Sequence, residues 1–196
     1  ITSVNFVFEL TMLSAIIEPD IAYEGTVLTV TGNANRALSY EYDWVVNNVS
    51  ISQNGTTLDG SFFNKSDMVY CNIRASYGPA KSYWLQSNTV TIRNSIPVMT
   101  NSLIEPESAY ETTILAAICD GNDMDNDTLT YEYEWFGNNI STGQTGTTLD
   151  GTFFNKGDEI YCNIRACDGD VLSDWLQSNT ITIQNTAPAS QIDSVQ

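Results

Sequence analysis

A chain of 196 residues with 42% hydrophobic content is long enough to bury a core without covalent staples, and its length suits one or two domains. Seven Lys and Arg against 24 Asp and Glu leave a formal charge of -17, so a nucleic-acid backbone or an anionic membrane face would repel it. The absence of histidine removes imidazole from any reaction scheme, and no apolar run is long enough for a spanning helix.

In chain order, "ITSVNFVFEL" comes first and alternates Val4, Phe6, Phe8 and Leu10, the pattern of a strand with one apolar face. "TVLTV" (26–30) is a β-branched strand. "SYEYDWVV" (39–46) sets Tyr40, Tyr42 and Trp44 on one face and acids on the other. An Asn-Asn pair then marks a hairpin turn. "MVYCNIRA" (68–75) alternates Val69, Cys71, Ile73 and Ala75, and "NTVTI" (88–92) adds a last strand. No helical stripe of useful length interrupts the series.

The series then repeats. "TTLDGSFFNKSDMVYCNIRASYG" (56–78) returns as "TTLDGTFFNKGDEIYCNIRACDG" (147–169), and "WLQSNTVTIRN" returns as "WLQSNTITIQN". Trp44 to Trp135 and Cys71 to Cys162 are both offsets of 91, whereas the "IIEP" and "LIEP" glutamates are offset by 87. The second copy therefore carries four extra residues, inside "CDGNDMDNDTL" (119–129). In that copy Tyr131, Tyr133 and Trp135 share one face, as do Ile160, Cys162, Ile164 and Ala166. Short strands with turn signals every eight to twelve residues predict two two-sheet sandwiches, an all-β fold.

A tryptophan on the third strand followed by a "D-x-x-Y-C" approach to the sixth (Asp67, Tyr70, Cys71; Asp158, Tyr161, Cys162) resembles the immunoglobulin-like and PKD-like repeat modules of archaeal and bacterial surface proteins. The match runs over nearly the whole chain, twice, and "NSIPV" and "NTAPA" are similar to the closing segments of such modules. The resemblance implies an extracellular structural or adhesive role. The expected layout is an extra N-terminal strand (1–11), module one (12–97), module two (98–189) and a tail (190–196) similar to the first strand of a further module. The immunoglobulin pattern would pair the sixth-strand cysteine with one on the second strand, where Val30 and Ala117 stand, so Cys71 and Cys162 read as buried free thiols.

Cys119 and Cys167 occur only in the second copy, opposite Gly32 and Ser76 of the first. In a sandwich of this topology the second and sixth strands end at one pole, so a Cys119–Cys167 disulfide is expected, with two further buried thiols as the alternative. The same pole gathers Asp120, Asp123, Asp125 and Asp127 from one loop and Asp168, Asp170 and Asp174 from another. Module one has "GNANRAL" and "SYGPAKSYW" there, and both loops lose their acids together. Crowded carboxylates repel unless a cation neutralises them, and oxygen donors at alternating positions suit Ca2+, held by Asp120, Asp123, Asp125, Asp127, Asp168 and Asp170. A solvated acidic pole is the alternative.

Asn48, Asn54, Asn64, Asn126 and Asn139 each open an N-x-S/T sequon. No nucleophile stands in a recognisable setting, so no enzyme is expected. A sugar-stacking platform of Tyr77, Tyr83 and Trp84 is the feature that an adhesin for carbohydrate or protein ligands would use. Opening on Ile1 fits a processed or internal segment, and "QIDSVQ" aligns with the start of module two. The combined expectation is an extracellular fibre, pilus-like filament or stalk. Its strings form either as one longer chain or by head-to-tail self-association, the strand Val4, Phe6, Phe8, Leu10 being donated to a neighbour.

Overall fold

The structure is a computed structural model that describes residues 9–186. Strands β1 (Met12–Glu18), β2 (Leu28–Ala34), β3 (Ser39–Val46), β4 (Val49–Ser50), β5 (Thr57–Leu58), β6 (Met68–Tyr77), β7 (Ala80–Lys81), β8 (Leu85–Gln86) and β9 (Val90–Thr91) belong to a first unit. A second unit holds β10 (Val98–Glu105), β11 (Leu115–Asn122), β12 (Thr130–Gly137), β13 (Ile140–Ser141), β14 (Thr148–Leu149), β15 (Glu159–Cys167), β16 (Leu176–Gln177) and β17 (Ile181–Thr182). The division falls between Ser95 and Ile96, two residues before the boundary read from the sequence. Val4, Phe6 and Phe8 and the tail from 190 lie outside the described residues. Leu10 is described, and packs against the small cluster of Met12, Ile73 and Ala75.

In the first unit one sheet runs β1-β2-β5, and the other runs β4-β3-β6 with β7, β8 and β9 all pairing to β6. The second unit repeats this as β10-β11-β14 against β13-β12-β15, with β16 and β17 on β15. The strand pairs are antiparallel, and each unit adds one isolated parallel bridge, Ala22 to Ile92 and Tyr110 to Gln184. The registers coincide from one copy to the next: Trp44 faces Cys71, and Trp135 faces Cys162.

Period-two alternation does what the sequence predicts. Val69, Cys71, Ile73 and Ala75 are fully buried, as are Ile160, Cys162, Ile164 and Ala166. Each unit closes its own core around Trp44 or Trp135. The buried indoles are not left unpaired: Trp44 Nε1 donates to Gly55 O at 2.9 Å, and Trp135 Nε1 to Gly146 O at 2.8 Å. Asn47-Asn48 and Asn138-Asn139, all at positive φ between 50° and 66°, form the two-residue hairpin turns that the Asn-Asn pairs predict.

The last strand is shorter than its sequence suggests. Ser87 Oγ accepts from Cys71 N at 3.0 Å, and Ser178 Oγ does the same for Cys162 N, so a hydroxyl takes over a ladder position and divides the strand into two-residue pieces. The following asparagine ties the sheets together. Asn88 accepts from Ile17 N at 2.7 Å and donates to Ile17 O at 3.1 Å, and Asn179 makes the same pair with Ile104. The "QSN" triplet is therefore a staple between edge strand and opposing sheet.

Candidate metal centre

The residues that differ most between the two units lie where β2 or β11 hands over to β3 or β12. Ala34 and Gly121 occupy the same register position against Met12 and Met99, and Ser39 and Thr130 do so against Ser76 and Cys167. The insertion thus sits between Asn122 and Thr130. In the first unit this short connection carries Arg36, whose guanidinium stacks 4.1 Å from the Tyr77 ring centroid. The second unit replaces that cation with Asp123, Asp125 and Asp127.

Asp123 leaves β11 pointing inward and is only 6% exposed. Its Oδ1 accepts from Asp125 N at 2.9 Å and from Asp127 N at 3.3 Å, which folds the loop back over the carboxylate. Asn126 takes the left-handed conformation at φ 57° that this reversal requires. The result brings one carboxylate oxygen from each of Asp123, Asp125 and Asp127 within 4.8 Å of one another. Asp123 Oδ2 is buried with no hydrogen-bond partner. A recess of about 340 Å³ opens beside it, lined in part by Asp123, Asn126, Asp127 and Tyr131.

Of the six acids expected to share a site, these three form the converging group among the described residues. Asp120 is turned outward by the parity of β11 and its Oδ1 accepts from Gly121 N. Asp168 builds a separate turn, its Oδ1 accepting from Asp170 N and Val171 N at 2.7 Å each. That turn follows Cys167, which pairs with Thr130, so both acidic loops do belong to one pole.

The expected disulfide is corrected. All four cysteines are free thiols, and parity explains it. Cys119 lies on the inner face of β11, in line with Leu115 and Ala117, with its Sγ 3.5 Å from Tyr133 Oη. Cys167 is five residues from inward-facing Cys162 and therefore lies on the outer face of β15, where its Sγ accepts from Gly169 N. The two sulfurs face opposite sides of the opposing sheet. Cys71 and Cys162 are the buried thiols expected, and burial pushes them up to about 11 and about 12.

The aromatic platform is not assembled as read. Arg74 stacks 4.3 Å over the Trp84 ring and Arg36 covers Tyr77, so one face of each is occupied, while Tyr83 projects alone. Trp175 and Arg165 repeat the Trp84–Arg74 stack, a packing device shared by both units. Sequence reasoning missed these guanidiniums, although the repeat of Arg and Trp at one spacing was visible. All five sequon asparagines are exposed.

These are two immunoglobulin-like β-sandwiches in tandem. No family model matches the chain, and no curated protein matches it. Solved structures of similar organisation include a two-domain fibronectin type-III segment from chicken tenascin, 11% identical, covering 87% of this chain and 98% of that one, with a TM-score of 0.44. The FN1–FN3 domains of chicken CNTN1 are 10% identical over 92% of this chain and 68% of that one, with a TM-score of 0.40. The fibronectin(III)-like modules of Clostridium thermocellum CbhA are 11% identical over 90% of this chain and the whole of that one, at 0.33. Identities this low attach no function to the sandwiches. No helix among the described residues is long and apolar enough to cross a membrane.

Proposed function

We propose that the tandem sandwiches are a structural segment of an extracellular fibre, pilus-like filament or surface stalk, with successive subunits joined head to tail by strand addition. The observation that carries this reading is what the repeat preserves. Both copies keep the buried tryptophan, the Ser87/Ser178 and Asn88/Asn179 staples and the Arg–Trp stack, which are all scaffolding. A chain that duplicates scaffolding and little else gains length and stiffness rather than chemistry. Edge strands β1 and β10 bear on the joining mode: among the described residues each pairs with a strand on one side, β2 or β11, while its outer side meets the Asn88 or Asn179 side chain at Ile17 or Ile104, and β1 carries exposed Leu13 and Ile16. The stretch of edge beyond that asparagine contact is the part that a further strand could pair with. The five exposed sequon asparagines fit a glycosylated surface coat.

Negative-stain electron microscopy of the 196-residue chain beside a truncation lacking residues 1–11 tests the reading. Filaments that vanish on truncation are expected. Monodisperse particles in both samples would overturn strand addition and turn attention to an adhesin, to be tested on a glycan array.

A further inference from the structure

We propose that the β11–β12 loop of the second unit is a calcium site, the ion being held by the carboxylates of Asp123, Asp125 and Asp127. Two independent observations meet there. The first is the convergence of three carboxylate oxygens within 4.8 Å, an arrangement in which like charges repel and which a divalent cation turns into mutual attraction. The second is Asp123 Oδ2, enclosed in a residue that is 6% exposed and left without a hydrogen-bond partner. A carboxylate oxygen buried in this state is costly unless positive charge reaches it. Oδ1 of the same group is fully engaged by two backbone amides, so the unpartnered oxygen is the one available to a ligand.

The first unit supplies a comparison within the molecule. Where the second unit inserts its three aspartates, the first has Arg36, a covalent cation stacked on Tyr77. One pole carries its own positive charge, and the other carries a set of hard oxygen donors to bind one. The donor chemistry selects the ion. Three carboxylates on one turn beside an open recess, with room for water to complete the shell, suit Ca2+, which takes six to eight oxygens in irregular geometry. Mg2+ demands a near-ideal octahedron and gives up water reluctantly. This inference does not rest on the fibre reading, and a site of this kind would serve an adhesin equally well.

The test uses the whole chain, freed of divalent ions with a chelator and then titrated calorimetrically with CaCl2 and, separately, MgCl2. A single saturable Ca2+ per chain is expected, with Mg2+ at least about tenfold weaker. Tb3+ provides a second readout, because Tyr131 lines the recess and can sensitise its luminescence, which Ca2+ should quench by displacement. Asp125→Asn and Asp127→Asn keep side-chain shape and the Asp123 turn, and each should weaken Ca2+ by about tenfold or more. Asp120→Asn, on the outward face, should leave it unchanged. No saturable binding, equal affinity for Mg2+, or equal weakening in Asp120→Asn would overturn the proposal.

Discussion

Gly60 and Gly151 illustrate how one residue can be fixed by an atom far away in sequence. A Cβ at Gly60 would lie 1.5 Å from Glu24 O, and one at Gly151 would lie 1.7 Å from Glu111 O, so backbone must move to admit any side chain. Asp59 and Asp150 hold the approach by capping the short 3-10 turns that follow, and hydrogen bonds from the Ser61 or Thr152 hydroxyl and then from its backbone N–H keep their carboxyls below the usual range. Gly60→Ala should therefore cost roughly 1–3 kcal/mol, a drop in Tm on the order of 10 °C for a unit this small. Gly55→Ala, where the nearest atom to the new Cβ is 3.6 Å away, should leave the melt unchanged. Equal melts for both variants would refute the steric account. The Asp-Gly pair of "LDG" is a turn signal in its own right, but the carbonyl that forbids a side chain comes from another loop, and no local pattern announces it. The cysteines teach the opposite lesson: the parity separating Cys167 from Cys162 was legible in the alternation itself, and shared occurrence in one module was the weaker guide.

Strands were legible wherever a two-residue period met a buried face, as in β3, β6, β12 and β15. They were misjudged where side chains replace the ladder. Nothing local in "QSN" says that Asn88 will bond Ile17, 71 residues away. The outward face of β3 and β6 holds a second feature of this kind, an ion network. Glu41 is hydrogen-bonded first by Lys81 and then by Arg74, which lowers its carboxyl from an ordinary 4.5 to about 2. A carboxylate whose folded value is depressed stabilises the fold above its unfolded value, and that contribution disappears as pH falls through the folded one. Wild type should consequently melt above Glu41→Gln at pH 6. The gap should narrow between pH 4.5 and about 2 and close below that. Because the group is solvent-exposed, the gap at pH 6 should shrink in high salt. A gap independent of pH would rule out the ionic origin. In the second unit Leu172 stands at the repeat position of Lys81, so among the described residues Glu132 keeps Arg165 as its ion-pair partner.

At the scale of the whole chain, the decisive property is that two nearly duplicate sequences build two separate cores. Ile17, Leu28, Trp44, Val69 and Cys71 close one, and Ile104, Leu115, Trp135, Ile160 and Cys162 close the other. A segment built to extend should tolerate the failure of one module without losing its neighbour, as quasi-one-dimensional repeats do. The buried thiols report this directly, because Cys71 and Cys162 occupy equivalent fully buried positions in the two cores. Burial with raised thiol values makes both inert while folded, and unfolding releases each to alkylation. Gly151→Ala should therefore speed labelling of Cys162 while Cys71 stays protected, and Gly60→Ala should reverse the pattern, with the modified peptides identified by mass spectrometry. Simultaneous labelling of both thiols in either variant would mean that the two cores unfold as one, and the modular account would fall. If the pattern holds, a further comparison follows from the acidic loop: added Ca2+ should slow labelling of Cys162 in the second unit and leave Cys71 in the first untouched.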